Sequence, residues 1–364
     1  MAAEDALLLD EAGPIPAEHL RSVATTRPAR EPESTPAVTP SATAAVPILR
    51  TAPARRLFDA YIMVDWSSSS QPTRLNAADS IWLGLGRWDG DLFQPLRSEN
   101  HQTRAAARAR IDAQVRAWLA EERRVLVGLD FAFGYPRGFA RSLGLTGAAS
   151  WRSIHDYFRR SVIDGPTNSH NGANLADACN RVVAPAGPGP FWGCHANAQT
   201  PLLTSRRVGL FTFTTPGKPG TYGLAEWRLT DNAARSIANP QSVWKLNCGV
   251  SVGMQTITGI KHLAELRAGL EGAARIWPFE TGFEMPSRSE AWFAEIFPSL
   301  LKIDPAVRGH GGPRDREQVE TCVFVSARHD SQGTMAAVLR GRTALSSVER
   351  SAVLDEEGWM LFLN

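Results

Sequence analysis

The chain has 364 residues, is 43% hydrophobic and 21% charged, and carries a net charge of +2. That length and apolar content suffice for a substantial buried core, and the near-neutral balance does not mark a strongly basic nucleic-acid binder. No apolar run approaches the ~20 residues that span a bilayer, and no basic start leads into an apolar stretch and cleavage site. The four cysteines form no C-x-x-C pair, so a cytoplasmic location with no membrane partner is the expectation.

Residues 1–55 are dominated by Ala, Pro, Thr, Glu and Arg, as in Pro28-Ala-Arg-Glu-Pro-Glu-Ser-Thr-Pro36. Such a stretch buries too little apolar area to offset its ordering entropy. It reads as a disordered leader with at most a short helix around Pro16–Val23. The early acids Glu4, Asp5, Asp10 and Glu11 argue against a mitochondrial transit peptide.

Residues 56–364 read as one α/β domain. Leu57–Val64 is a β-rich run ending in Asp65, and Ser80–Trp88 is a second strand. Asp89-Gly90 is a hairpin dipeptide, and Asp91–Leu96 a third strand whose Pro95 assigns it to an edge or a bulge. Thr103 caps a predicted helix to about Glu122, with Ile111, Val115, Trp118 and Leu119 on one face. Arg124–Leu129 is apolar throughout and ends in Asp130, the mark of a central parallel strand covered on both faces. Residues 165–235, rich in Gly, Pro, Asn and His, read as an irregular insertion with a short strand at Val208–Thr214. Helical character returns at Ser251–Gly269. Arg275–Glu280 and Trp292–Phe297 look like short strands, and Gln318–Ala327 and Asp330–Arg340 like two helices. Gly358–Leu363 closes the chain as a strand-like tail.

Asp65 and Asp130 each end an apolar strand, where open sheets place their ligands. If the two strands are parallel neighbours, the carboxylates lie side by side and repel, and a cation between them relieves the repulsion. Hard oxygen ligands suit Mg²⁺ or Mn²⁺. The competing reading is that each Asp caps the turn or helix after it.

This order of three antiparallel strands, a helix and a parallel strand, with acids on the first and fourth strands, resembles the RNase H fold. In detail the chain is similar to an uncharacterised bacterial family of predicted nucleases. The residues that carry the likeness are Val64-Asp-Trp-Ser67, Gly128-Leu-Asp-Phe-Ala-Phe-Gly-Tyr-Pro136, Ser251-Val-Gly-Met-Gln-Thr256, Trp277-Pro-Phe-Glu280, Ala294-Glu-Ile-Phe-Pro-Ser299 and His329-Asp330. The resemblance implies an RNase H-like mixed sheet flanked by helices, and a metal-dependent nuclease or phosphodiesterase acting on nucleic acid, a nucleotide or another phosphoester. It implies Asp65, Asp130 and Asp330 as catalytic metal ligands for Mg²⁺ or Mn²⁺, with Asp330 opening a late helix and Glu280, Glu295 and Ser67 in support. Two departures stand out. The helix after Thr103 offers only Asp112, Glu121 and Glu122, and Ser331 and Gln332 stand where a further acid is expected.

Two other readings remain open. The run Asp65-Trp-Ser-Ser-Ser-Ser70 occupies the turn that cradles ATP phosphates in actin-like and sugar-kinase proteins, which suggests an ATP-dependent phosphotransferase, although glycines are missing after Asp65. A non-catalytic binding or regulatory protein is the third reading. Some members of the resembled family carry gene names from cobalamin or molybdopterin biosynthesis, for which the residues here supply no physical basis.

Overall fold

The computed structural model describes residues 49–52, 55–77, 79–147, 149–207, 211, 213, 223–247, 249–308, 313–342 and 344–364. Nearly all of the expected leader, the expected helix at Pro16–Val23 and most of the expected strand at Val208–Thr214 lie outside them.

The centre is a six-stranded mixed sheet. Its strands are β1 (Ala60–Asp65), β2 (Ile81–Asp89), β3 (Leu92–His101), β4 (Val125–Leu129), β5 (Ala274–Ile276) and β6 (Ala291–Glu295). Their order across the sheet is β3-β2-β1-β4-β6-β5. The first three strands are antiparallel, and β1, β4, β6 and β5 run parallel. Pro95, which has no N–H for a ladder on both sides, sits in the edge strand β3.

The crossover from β3 to β4 is α1 (Arg104–Ala120). The Thr103 hydroxyl caps it by accepting from the Ala106 N–H at 3.3 Å. Ala107, Ile111, Val115 and Trp118 recur at helical spacing and are all buried, each large side chain contributing about 1.5–3 kcal/mol.

The period of two along a strand divides the core. Ala60, Ile62 and Val64 of β1, with Val125, Val127 and Leu129 of β4, pack on the face covered by α1 and by α6 (Gly253–Gly269). Tyr61 and Met63 pack on the opposite face with Val319, Cys322, Val323 and Ala327 of α7 (Arg314–Gln332). Gly84 of β2 makes this second layer tight, since a Cβ there would lie 2.8 Å from the Val319 carbonyl oxygen. Helix α7 therefore rests its backbone directly on the sheet, which fixes where its first turn ends up.

The two expected late helices are present with their boundary displaced: the first is the long α7, ended by Gly333 in the left-handed region (φ 70°), and the second is the shorter α8 (Met335–Arg340). The insertion is more regular than expected. It holds α4 (Gly172–Val183) and α5 (Leu229–Ala234). The buried Asn180 amide there donates to the Phe191 and Leu202 carbonyls and accepts from the Phe191 N–H, at 2.8–2.9 Å, so a side chain does the work of a neighbouring strand. Among the described residues no helix is long and apolar enough to cross a membrane.

Candidate functional site

Three parallel strands end side by side in acids. The Asp130 N–H continues the ladder to the Val64 carbonyl at 2.9 Å, which places Asp130 beside Asp65. Leu129 pairs with Glu295 in the next strand. Strand parity sends Asp65 and Asp130 to the α7 face, in step with Met63 and Leu126, and Glu295 to the other face, in step with Phe293.

Asp65 and Asp130 line a cleft of about 1320 Å³. Both are half-buried, and neither carboxylate makes a hydrogen bond or ion pair among the described residues. Burial raises Asp65 well above the ordinary carboxylate range, and the charges of Asp130, Asp315 and Asp79 raise it further. Burial likewise raises Asp130, with Glu295 and Asp315 adding to it. Two acids in this state retain a proton or attract a cation near neutral pH. The alternative that they cap local turns is not met, because they accept from no backbone N–H among the described residues.

The third acid facing them is Asp315, in the first turn of α7, where the helix dipole favours negative charge. Burial raises it, a backbone hydrogen bond from Asp79 lowers it, and the Asp79 charge raises it again. Asp79 itself sits in the left-handed region (φ 65°) at the end of the β1–β2 connection.

Glu295 is differently placed. The buried Arg228 guanidinium donates to both its oxygens at 2.7 Å, and the Phe133 N–H donates to it at 3.0 Å. The same guanidinium holds Asp231 at 2.9 and 3.1 Å and the Glu357 carbonyl at 3.1 Å. Glu295 and Asp231 thus share one cation. Around this knot the chain end straps the site. Glu356 accepts from the Gly138 and Ala140 N–H groups, and Glu357 from those of Arg137 and Leu229. The strap comes so close that a Cβ on Gly134 would lie 2.2 Å from the Glu356 carbonyl oxygen.

The serine run after Asp65 also lines the cleft, and part of it is held by hydrogen bonds. The Ser69 and Gln71 N–H groups donate to the Ser67 and Ser69 hydroxyls at 3.2 Å. The buried Arg104 takes the Ser67 and Ser69 carbonyls at 3.0 and 2.7 Å and is itself paired with Asp164 at 2.6 Å. His262 donates to Asp164 from the far side at 2.8 Å. Two carbonyls and two N–H groups of this turn are thereby held in place.

The expected ligand Asp330 lies elsewhere. It is in the last turn of α7 and accepts from the Leu57 N–H at 2.7 Å, the Phe58 N–H at 3.2 Å and the Tyr61 hydroxyl at 2.5 Å. Those partners precede or open β1, so Asp330 sits by the end of the strand opposite Asp65. Glu280 is also outside the cleft. It follows β5 in a turn and ties Arg152 of α3 (Ser150–Ser161) and Arg267 of α6 together at 2.5–2.9 Å. The residue that sequence reasoning missed is Asp315, hidden in the charged run Arg314-Asp-Arg-Glu317, which reads as an ordinary solvated helix start. Among the described residues no three His, Cys, Asp or Glu side chains are grouped as a metal site.

Compared with known proteins, the chain matches no family model, no curated protein and no solved structure.

Proposed function

We propose that the cleft is the active site of a metal-dependent phosphodiesterase or nuclease built on an RNase H-like plan. The reading is carried by Asp65 and Asp130, adjacent strand-end carboxylates that face a large cleft with no partner among the described residues. The strand order, with one acid on β1 and the next after β4, agrees with that plan, and Asp315 on α7 takes the place first assigned to Asp330.

The donor set fits a hard divalent cation. It consists of carboxylate oxygens, two of them raised by burial and by one another, and a divalent cation offsets that cost. Asp65 and Asp130 would hold the ion, with Asp315 close by. Fewer than three grouped acids suits Mg²⁺ or Mn²⁺, which are often bound by one or two carboxylates together with waters and substrate phosphates. When bound, the ion supplies Lewis-acid stabilisation to a phosphoryl centre. The chain's own contributions are positional. Arg228 holds Glu295 and Asp231 at the edge of the site, one positive charge between two carboxylates. Trp66 packs edge-on against Phe131 at 5.8 Å, joining the residues that follow the two acids.

The test is Mn²⁺ titration by calorimetry of wild type, Asp65→Asn and Asp130→Asn, with hydrolysis of bis(p-nitrophenyl) phosphate followed in parallel. Saturable binding and turnover in wild type, both lost in the two variants with the circular dichroism unchanged, is the expected result. Equal Mn²⁺ binding by wild type and Asp65→Asn would overturn the reading.

A further inference from the structure

We infer that the cleft takes a small phosphoester of nucleotide size, with a neutral hydrogen-bonding body, and not a nucleic-acid strand. The inference rests on the phosphoester reading above and adds the class of substrate.

Charge carries the first half of the argument. The lining holds six acids, Asp65, Asp79, Asp130, Asp231, Glu295 and Asp315, against two arginines, Arg74 and Arg228. Arg228 is consumed by Asp231 and Glu295. Among the described lining residues, Arg74 is therefore the one Arg or Lys left to meet a phosphate. A protein that grips a strand neutralises several phosphates in succession with Lys and Arg. This cleft offers no such row, and its acids repel a polyanion except at the one phosphate a cation would bridge.

Unused hydrogen-bonding groups carry the second half. Asn174 of α4, Asn247 and Gln318 of α7 line the cleft, and their side-chain amides make no hydrogen bond among the described residues. Gln255 donates one amide N–H to the Trp66 carbonyl at 2.6 Å, and its oxygen has no partner among the described residues. Trp66 is 2% exposed and lines the cleft, yet its indole N–H has no partner among the described residues. A buried donor without a partner is uncommon in a folded protein and is satisfied when a ligand brings an acceptor. Carboxamides present a donor and an acceptor together, which matches the mixed edge of a nucleobase or the hydroxyls of a sugar. The volume, about 1320 Å³, exceeds the roughly 300–1,000 Å³ of common small-ligand pockets and has room for a dinucleotide.

The experiment compares kcat/KM, in Mn²⁺, for bis(p-nitrophenyl) phosphate, the dinucleoside monophosphate ApA, a nucleoside cyclic phosphate and a long single-stranded oligonucleotide. The expected result is that, once each rate is divided by the rate of the same ester in Mn²⁺ solution so that leaving-group reactivity cancels, ApA or the cyclic nucleotide exceeds bis(p-nitrophenyl) phosphate by about 100-fold, two lost hydrogen-bonding groups being worth roughly tenfold each. Asn174→Leu and Gln318→Leu should each lower that ratio about tenfold. The second variant guards against loss of fold in the first. Preference for the long oligonucleotide, with log KM rising steeply with log salt at ~0.7 per phosphate contacted, overturns the inference while leaving the phosphoester reading intact. So does hydrolysis of bis(p-nitrophenyl) phosphate with no gain for the nucleotides. Absence of all hydrolysis together with absence of Mn²⁺ binding overturns both.

Discussion

At the end of the sheet where β1, β4 and β6 begin, every buried acid is matched. Asp59 binds Arg56 and Arg124, Glu290 takes Arg275, Arg288 and the Trp292 indole, and Asp330 takes two backbone N–H groups and a tyrosine hydroxyl. At the end where the same strands finish, Glu295 is matched by Arg228, but Asp65 and Asp130 accept nothing among the described residues. One sheet and one core therefore supply two environments for the same functional group. Folding alone rewards the first, because an unpartnered buried carboxylate costs free energy. The second is a cost without structural return, and such exceptions concentrate where a protein binds or reacts.

The largest expected effect tests the matched end. Asp330→Ala leaves Leu57 N–H, Phe58 N–H and Tyr61 hydroxyl without their acceptor, and should cost about 3–5 kcal/mol in urea unfolding. Asp130→Asn should cost nothing measurable in the same assay. Similar losses in both would erase the contrast.

Next comes ligand linkage. Mn²⁺ at 100 times its dissociation constant should stabilise wild type by about 2.7 kcal/mol, and the gain should vanish in Asp65→Asn and persist in Glu280→Gln. A gain that survives in Asp65→Asn would place the ion elsewhere.

Acid comes third. Burial pushes Asp59 up, but hydrogen bonds from Arg124 and Arg56 outweigh it and hold the carboxyl at about 2 against an ordinary 3.8. A depressed group gives stability above its unfolded value and loses it as pH falls through the folded one. The window is therefore roughly pH 4 to 2, and the loss about 2 kcal/mol, read as a fall in urea midpoint that Asp59→Asn lacks.

The smallest effect has the opposite sign. Asp65 is raised, so the fold disfavours its charged form, and wild type loses stability as pH climbs above the unfolded value of 3.8. In chelator, Asp65→Asn should be more stable than wild type by about 1–2 kcal/mol at pH 8 and by less at pH 5. A variant less stable than wild type at pH 8 would mean that Asp65 has a structural partner after all.

Much of this frame was legible in the residues. Apolar runs ending at Asp65 and Asp130 fixed the strands, their direction and the two acids, because a strand covered on both faces must be apolar until it leaves the core. The mistakes share a cause. His329-Asp330 resembles a helix start, since Asp is a good N-cap. The true boundary signal was Gly333, a C-terminal cap three residues on, which makes Asp330 the end of α7 and moves the site to the other end of that helix, at Asp315. The resemblance implies Glu295 as a supporting acid, but its partner Arg228 lies in a distant segment, and no local pattern announces a long-range ion pair. The regularity of the insertion was hidden for the same reason, since the amide of Asn180 stands in for a strand that periodicity cannot detect.

The strap formed by Glu356 and Glu357 also has a consequence in time. A ribosome delivers Asp65 and Asp130 well before Glu356 and Glu357, and before Leu361, whose N–H closes on the Glu295 carbonyl at 2.8 Å. Until then Arg137, Gly138 and Leu229 lack their acceptors, and Arg228 lacks the Glu357 carbonyl that helps to aim it. A nascent chain thus carries Asp65 and Asp130 without the scaffold that frames them until Glu357 has been added. The geometry withholds the framed cleft until translation has passed Leu361, so that a product terminated before Glu356 keeps the two acids and lacks their frame.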